Sequence, residues 1–293
     1  MTNLTNINFL RLYVTLGLLC VLIWGCEGVG VGSKKQVHHT SPPGYNLQTP
    51  YIIKLPIELD EISGVVFYPK DTSIFAINDE RGWLYKIFPN NPRNIEKWKF
   101  FDGADFEDVV KLDSNFYVLE SSGNIIAFRH YTADSVVARE NLFPQGSGNE
   151  FEILYYDPTI SKMVLICKDC ESDKKKALST YTFDPATGQY ANGDFSIDVK
   201  QIAEMMGQKS LKMKPSAAAI HPITGELYVV SAVNDLFLVL DRNGRAKSIH
   251  PLDSKIFKQP EGIAFTPSGD MIISNEAAEI GVANILIYKY NNK

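Results

Sequence analysis

From Tyr51 to Tyr290, apolar and polar residues alternate over short stretches that turn-forming residues interrupt. Such stretches are rich in valine, isoleucine, tyrosine and phenylalanine, and glycine, proline, asparagine and aspartate separate them, as is typical of β-strands. Apolar residues recur convincingly at helical spacing only within Val199–Lys209. The pattern therefore predicts an all-β fold that begins near Tyr51.

One strand pattern recurs five times along this part of the chain. Each copy runs from a serine or glutamate through apolar residues to a proline or aspartate, and the copies are Ser63–Pro69, Glu107–Asp113, Glu152–Pro158, Ser216–Pro222 and Glu261–Pro267. Their first residues lie 44, 45, 64 and 45 positions apart. Repeats of about 40–50 residues that each contain several strands are typical of β-propeller blades. We attribute the one longer spacing to an insertion that contains the helical segment.

The number of strands predicts how the ring closes. Four repeats each contain four strand-like runs, whereas the fifth contains only three, Glu261–Pro267, Met271–Ala277 and Ile285–Tyr290. The run Tyr51–Ile57 precedes the first repeat, and its pairing with the last blade would remove an exposed sheet edge. We predict a five-bladed β-propeller with four-stranded blades over residues 51–293, closed by its N-terminal strand.

The N-terminal segment is typical of an export signal. Residues Leu12–Gly25 form an apolar run of 14 residues after a polar start whose only charge is Arg11. A membrane-spanning helix needs about 20 apolar residues, whereas the core of a signal peptide needs roughly 7–15. The run ends in LIWGC at residues 22–26, which resembles a bacterial lipoprotein box. We interpret residues 1–25 as a lipoprotein-type signal peptide and Cys26 as the lipidated residue; a plain cleaved signal and an uncleaved anchor are the alternatives.

Residues 26–50 are rich in glycine, serine, proline and polar residues and are interpreted as a flexible tether. On that interpretation a lipid at Cys26 anchors the protein to a membrane of the bacterial cell envelope, and the folded body lies outside the cytoplasm.

Composition and charge exclude several classes of protein. With 45% hydrophobic and 22% charged residues, the chain is neither disordered nor a polytopic membrane protein. The net charge of -5 argues against a nucleic-acid partner, because phosphate binding needs a clustered basic face. Cys167 and Cys170 have the spacing of a redox or zinc motif, but no second close Cys/His pair supplies further ligands. We interpret them as a pair at a hairpin end, either bridged or free.

Equivalent positions of the five inner strands are expected to form rings of side chains around the channel of a propeller. One ring is Ser63, Glu107, Glu152, Ser216 and Glu261, and the layer two residues earlier is Glu61, Asp105, Glu150, Lys214 and Gln259. Carboxylates at such close range raise each other's pKa unless a cation or a proton neutralises them. Oxygen ligands without histidine or cysteine select a hard cation, and calcium accepts about six to eight of them.

These residues predict one calcium ion bound by Glu107, Glu152 and Glu261, with Ser63 and Ser216 nearby. The alternative is that the glutamates cap strand-end amides or line a water-filled channel. A further set lies at the ends of the second strands, where hairpin geometry returns to the same face: Asp79, Ser121, Asp169, Ser231 and Asn275. They are candidates for a substrate-facing rim, or they serve only as turn residues.

Five short phrases in the chain resemble the SdiA-regulated (YjiK-like) family. They are EISG at residues 61–64, DFE at 105–107, FE at 151–152, KPSA at 214–217 and QPEGI at 259–263. The resemblance covers about Tyr51–Tyr290 and implies a bacterial envelope protein with a five-bladed propeller, a calcium site and distant similarity to NHL-type propellers. The chain departs from the family pattern at Asp108, where glycine often follows the glutamate, and at Ile153-Leu154.

Two functions follow from these observations. One is a non-enzymatic calcium-bound propeller that presents a face to a protein or glycan partner. The other is a calcium-dependent hydrolase of lactonase, esterase or phosphoesterase type, in which the metal polarises a C=O or P–O bond and a carboxylate activates water. The sequence shows no Ser/His/Asp set or His–carboxylate pair, which favours the binding module.

Overall fold

The computed structural model describes residues 39–129, 136–145, 148–173, 176–277 and 281–291. The predicted signal peptide 1–25, Cys26 and the first part of the predicted tether lie outside these residues. No helix among the residues that the structure describes is long and apolar enough to cross a membrane.

The described residues form five four-stranded antiparallel sheets, the blades of a propeller. Blade 1 contains β2 (Ile62–Tyr68), β3 (Ser73–Asn78), β4 (Trp83–Ile87) and β5 (Ile95–Lys99); blade 2 contains β6 (Phe106–Leu112), β7 (Asn115–Glu120), β8 (Ile125–Arg129) and β9 (Ala138–Asn141). Blade 3 contains β10 (Asn149–Asp157), β11 (Lys162–Cys170), β12 (Ala177–Asp184) and β13 (Gln189–Asp198). Blade 4 contains β14 (Ala217–Ile220), β15 (Leu227–Ser231), β16 (Leu236–Leu240) and β17 (Ala246–Pro251).

Blade 5 contains β18 (Pro260–Phe265), β19 (Met271–Asn275), β20 (Asn284–Tyr288) and, as its outer strand, β1 (Tyr51–Lys54). Strand β1 pairs antiparallel with β20, so that Tyr51 lies opposite Ile287 and Lys54 opposite Asn284. The inner strands β2, β6, β10, β14 and β18 contact one another in cyclic order, and β18 contacts β2. The predicted five-bladed fold and its closure by the N-terminal strand are confirmed.

Apolar side chains fill the spaces between neighbouring blades. Between blades 1 and 2, for example, Phe75, Ile77, Val109 and Phe116 are buried in one cluster, and equivalent clusters separate the other blades. Both faces of each blade are covered, so β3 and β15 are buried along their whole length. Their residues are accordingly apolar except at the strand ends. This packing fixes the inner strands around the channel.

The insertion lies between blades 3 and 4, as the repeat spacing predicts. It contains the helix Val199–Met205, which begins where the Asp198 side chain accepts a hydrogen bond from the Gln201 N–H at 2.9 Å. Val199, Ile202 and Ala203 are buried, so one face of this short helix packs against the propeller. The helix stops at Met205, four residues before the predicted end.

The segment before β1 belongs to the fold, and the predicted end of the tether at Pro50 is too late. Leu47 is only 1% exposed and packs in the cluster between blades 4 and 5. The Tyr45 hydroxyl lies 2.7 Å from His221 Nε2, and the Asn291 N–H donates to the Gly44 carbonyl at 2.9 Å. We call residues 39–50, which pack on the propeller, the strap. In the sequence, Tyr45 and Leu47 stand among many polar residues, and this pattern does not distinguish a packed segment from a flexible tether.

Candidate functional site

The starts of the inner strands are joined around one end of the channel, called here the ring end. The Phe106 N–H donates to the Asp79 carbonyl at 2.7 Å, which links blade 2 to blade 1. The Phe151 N–H donates to the Ser121 carbonyl at 2.9 Å, which links blade 3 to blade 2. These backbone bonds hold the following residues, Glu107 and Glu152, at equivalent positions beside the axis.

Close contact between blades requires glycine after the ring residue in blades 1 and 5. A Cβ atom on Gly64 would lie 2.6 Å from Asp108 Cα, and one on Gly262 would lie 2.7 Å from the Ser63 carbonyl oxygen. A side chain at either glycine would therefore force neighbouring blades apart.

Blade 2 carries Asp108 in place of this glycine, and its buried carboxylate joins two blades. It accepts hydrogen bonds from the N–H groups of Val109 at 2.8 Å and Leu154 at 2.9 Å. Burial raises the pKa of this carboxyl well above its usual range, although both hydrogen bonds oppose the shift. The departure of the chain from the family pattern at this position is thus a structural link from blade 2 to blade 3.

The three ring glutamates interact electrostatically at the axis. Burial, and then the charge of Glu152, raise the pKa of Glu107 to about 10. Burial, followed by the charge of Glu152, raises the pKa of Glu261 to about 8. With a pKa of about 10, Glu107 holds a proton at neutral pH, beside the carboxyl group of Glu152.

Lys168 is the site residue that the sequence did not reveal. Its ammonium donates to Glu152 Oε1 and lies 2.9 Å from Glu150 Oε1. Glu152 therefore has a basic partner that comes from the second strand of its blade, outside the ring. The cause is a β-bulge: Phe151 lies opposite Cys167 and Glu150 opposite Asp169, so that Lys168 has no opposite residue on β10.

A disulfide encloses this bulge. Cys167 and Cys170 are bonded to each other, which decides between the bridged and free forms that the spacing left open. Among the described residues, one group of three potential metal ligands (Cys, His, Asp or Glu) has its ligand atoms within 4.8 Å of one another. It consists of Cys167, Cys170 and Asp173. Because the two sulfurs bond to each other, this group offers no thiolate to a metal.

The ring end has an ion-paired side and an acidic side. On the ion-paired side, beside Lys168, Lys214 Nζ lies 3.3 Å from Asp169 Oδ2 and 3.9 Å from Glu150 Oε2. Lys212 Nζ lies 3.5 Å from the same Asp169 oxygen. These ion pairs belong to blade 3 and to the segment that leads into blade 4.

Blades 5, 1 and 2 form the acidic side. Burial, then the charge of Glu61, raise the pKa of Asp79 to about 6. Burial, then the charges of Asp79 and Glu61, raise the pKa of Glu276 to about 7. The Gln259 amide donates to Glu276 Oε2. One oxygen of Asp79, Oδ1, is buried without a hydrogen-bond partner.

The structure brings the predicted second layer together at this end. Asp105 Oδ2 accepts from the Ser121 hydroxyl at 2.7 Å, Glu150 contacts Lys168, and Glu61 interacts with Asp79. Lys214 and Gln259 complete the layer through the contacts given above.

Two of the predicted rim residues, Asn275 in blade 5 and Ser231 in blade 4, are buried and do not face a substrate. Asn275 is fully buried, and its amide donates to the Ile256 carbonyl at 3.2 Å and to Asn284 Oδ1 at 3.0 Å. Ser231 is likewise buried and donates to the Lys214 carbonyl at 2.5 Å. In blade 5 the side chain that lies beside the ring glutamates is that of Glu276. The predicted rim residue, Asn275, is therefore one position too early in the sequence.

The ring serines have different surroundings from the glutamates. The Ser216 hydroxyl donates to the Pro260 carbonyl at 2.6 Å and accepts from the Ala232 N–H at 3.2 Å, which ties blade 4 to blade 5. Ser63 is buried, and its carbonyl accepts from the Ser274 hydroxyl at 2.8 Å. The Ser216 hydroxyl is thus already engaged in holding the ring together.

The donor chemistry of the ring end fits a hard cation. Glu107, Glu152 and Glu261 offer only oxygen ligands, and each has a raised pKa, so all three resist full ionisation without a compensating charge. No three carboxylate oxygens in the described part of the site lie mutually within 4.8 Å. To ligate one ion together, these side chains would therefore have to lie closer to one another than they do here.

Comparisons with known proteins agree with this architecture. The sequence profile of the SdiA-regulated family matches residues 40–279. No curated protein matches the chain. Among solved structures, glutaminyl cyclase from Myxococcus xanthus has a TM-score of 0.56 at 15% identity, over 83% of this chain and 96% of that chain.

Two further structures are similar at the level of the fold. Regucalcin from Agrobacterium tumefaciens strain C58, described as a calcium-binding protein, has a TM-score of 0.50 at 13% identity, over 85% of this chain and 96% of that chain. A glucose dehydrogenase has a TM-score of 0.51 at 9% identity, over 83% of this chain and 100% of that chain. At such identities the likeness shows the propeller fold alone.

Proposed function

The chain belongs to the SdiA-regulated family, and from that premise we propose that its propeller binds one calcium ion at the ring end and uses this end to bind a partner. The ligands would be Glu107, Glu152 and Glu261, with Ser63 beside them. Ser216 would support the site through its bond to Pro260.

The meeting of three buried glutamates from equivalent strand positions carries the proposal. The raised pKa of Glu107 beside Glu152 holds a proton at a place where a divalent cation would neutralise the same two groups more completely. Lys168 already balances one carboxylate, which leaves the ring with an excess of negative charge for a single divalent ion. Calcium suits this set better than magnesium, because it tolerates more oxygen ligands and irregular geometry.

The charged groups of the ring end support a binding role. On one side three lysines pair with carboxylates of blade 3, and on the other Asp79 and Glu276 are acidic. Charged groups of both signs at one end favour a polar partner, such as a protein loop or a glycan. In the proposed setting the protein is anchored through Cys26 to a bacterial envelope membrane, with this end free to meet the partner.

Calcium-dependent stability tests the metal proposal. A ligand that binds only the folded state stabilises it by about 2.7 kcal/mol at a hundredfold excess over its dissociation constant. Chelation should therefore lower the melting temperature of the purified protein, and added calcium should restore it. Glu107→Gln should remove most of this response, whereas Glu96→Gln on the exposed outer strand β5 should keep it. A melting curve unaffected by chelator, with no metal in elemental analysis, would refute the calcium site.

One observation favours the second candidate, a calcium-dependent hydrolase. The pKa of Glu276 is raised to about 7, and a general base works best with a pKa near the operating pH. In this version Glu276 would activate water while the ion polarises a C=O or P–O bond. A screen of lactones, esters and phosphoesters, with Glu276→Gln as the inactive control, separates the two functions. Turnover lost in that variant while calcium binding is kept would favour the enzyme.

A further inference from the structure

The second half of the channel is an open apolar cavity of about 500 Å³. It begins beyond the ring glutamates and is lined by the later residues of all five inner strands. Among its lining residues are Val66, Phe67, Val110, Tyr156, Ile220 and Phe265. Pockets for small molecules measure roughly 300–1,000 Å³ and are mostly apolar with a few polar groups, so this cavity has the size and character of such a site.

A second pocket, of about 530 Å³, adjoins this cavity where blades 1 and 2 meet. Its lining includes three lysines, one aspartate, Asp113, and aromatic side chains such as Tyr68; the lysines are Lys70, Lys86 and Lys111. Lys111 lines both pockets. A cationic pocket thus opens directly beside the apolar cavity, in a protein whose net charge is -5.

Lysines outnumber the carboxylates at the cationic pocket in the described chain, where Asp113 lines it and Asp71 lies beside it. Lys86 Nζ lies 2.6 Å from Asp71 Oδ2 and is therefore paired. The Lys111 ammonium donates to the backbone carbonyl of Asp113 and lies 4.9 Å from the centre of the Tyr68 ring, and no carboxylate lies within ion-pair distance of it among the residues described. Burial, and then the charge of Lys70, lower the pKa of Lys111, and the Asp113 charge opposes this only in part.

We propose that these two pockets form one site for an amphipathic anion, an alkyl chain that ends in a carboxylate or phosphate. The chain lies in the channel cavity, where its burial removes apolar surface from water. The anionic head lies at Lys111 and Lys70 and supplies the charge that a half-buried ammonium lacks. The site is separate from the calcium site and does not depend on it.

Titration calorimetry with single-chain probes in the presence of chelator tests this site. The probes are decanoate, decyl phosphate and decyltrimethylammonium, which share one alkyl chain and differ in the head group. We expect saturable binding of at least one anion and at least tenfold weaker binding of the cation. The comparison of decanoate with decyl phosphate identifies the preferred head group.

Variants assign the head and the chain to their pockets. Lys111→Met keeps the apolar stem and should weaken anion binding by roughly tenfold or more, as expected for the loss of one charge-assisted hydrogen bond. Lys111→Arg should retain it, and Lys97→Met, an exposed lysine on β5, should not change it. Ala219→Phe places a ring in the cavity and should weaken all three probes.

Three results would overturn the proposal: no binding of any probe, equal binding of anions and cation, or unchanged anion binding in Lys111→Met. If Lys111→Met does not fold, as judged by its melting curve, the exposed Lys70→Met takes its place and should weaken the anions by several-fold. Because chelator is present throughout, failure of the calcium site leaves this result unaffected.

Discussion

Lys168 forms an ion pair with Glu152 at the ring end of the channel, and a one-residue bulge in β11 brings the two side chains together. The lysine is half-buried, and its own pKa is raised through its pairing with Glu152 and Glu150, although burial opposes the shift. Burial raises the pKa of Glu152 and Lys168 opposes that shift, so Glu152 is the ring glutamate with a cationic partner, while Glu107 keeps a proton. The pair sets the charge that a cation at the axis would meet.

Replacing Lys168 should change stability and calcium binding in opposite directions. Lys168→Met leaves the Glu152 carboxylate buried without its partner, which should destabilise the calcium-free protein by about 3–5 kcal/mol. The extra negative charge should strengthen calcium binding, so the gain in melting temperature on adding calcium should be larger than in the wild type. Lys247→Met, which breaks an exposed pair with Glu226, is the matched control and should alter neither quantity appreciably. A smaller calcium response in Lys168→Met would contradict this role.

The calcium-free protein should lose stability as the pH rises. The pKa values of Glu107 and Glu261 are about 10 and about 8 in the folded protein, against 4.5 for an unperturbed glutamate. The folded state holds these protons after the unfolded state has released them, so their stabilising contribution is complete below pH 4.5 and is lost as the pH rises through 8 towards 10. Each group contributes a slope of at most about 1.4 kcal/mol per pH unit.

Urea unfolding across this pH window measures that loss. Saturating calcium should flatten the dependence, because a bound cation replaces the protons. Glu261→Gln should remove the contribution of this residue to the loss of stability, which falls between pH 4.5 and about 8, the pKa values of Glu261 in the unfolded and folded states. Stability that instead increases from mildly acidic to alkaline pH in chelator would show that the ring carboxyls are ionised in the folded protein.

The strap before β1 should contribute measurably to stability. Leu47 is 1% exposed between blades 4 and 5, so Leu47→Ala should lower the free energy of unfolding by about 2–5 kcal/mol. Tyr51 is 64% exposed, and Tyr51→Ala should change it by no more than about 0.5 kcal/mol. Equal, small effects in chemical denaturation would mean that residues 39–50 behave as a tether after all.

The proposed anchor can be tested in cells independently of the fold. Cys26→Ala should abolish incorporation of radioactive palmitate and release the protein from the membrane fraction or leave its signal uncleaved. Cys20→Ala, within the same apolar run, is the control and should keep the label. Labelling that persists in Cys26→Ala would exclude this cysteine as the lipidated residue.

The sequence predicts the blades well because each repeat carries the same strand pattern at nearly constant spacing. It also predicts the ring of Glu107, Glu152 and Glu261, since equivalent repeat positions meet at the axis by symmetry. Lys168 was missed because a bulge adds one residue to β11, and a pattern with period two cannot register a single inserted residue. The same uncertainty of one residue explains why the pattern predicts Asn275 as a rim residue, although Asn275 is buried and the side chain beside the ring is that of Glu276.

The proton count of calcium binding tests the central claim most directly. If calcium replaces the protons on Glu107 and Glu261, binding must release protons to the buffer. Titration calorimetry near neutral pH in buffers of different ionisation enthalpy measures this number. We expect about one to two protons per calcium ion, and fewer in Glu107→Gln. Binding without proton release, or no calcium binding to the wild-type protein, would contradict the account.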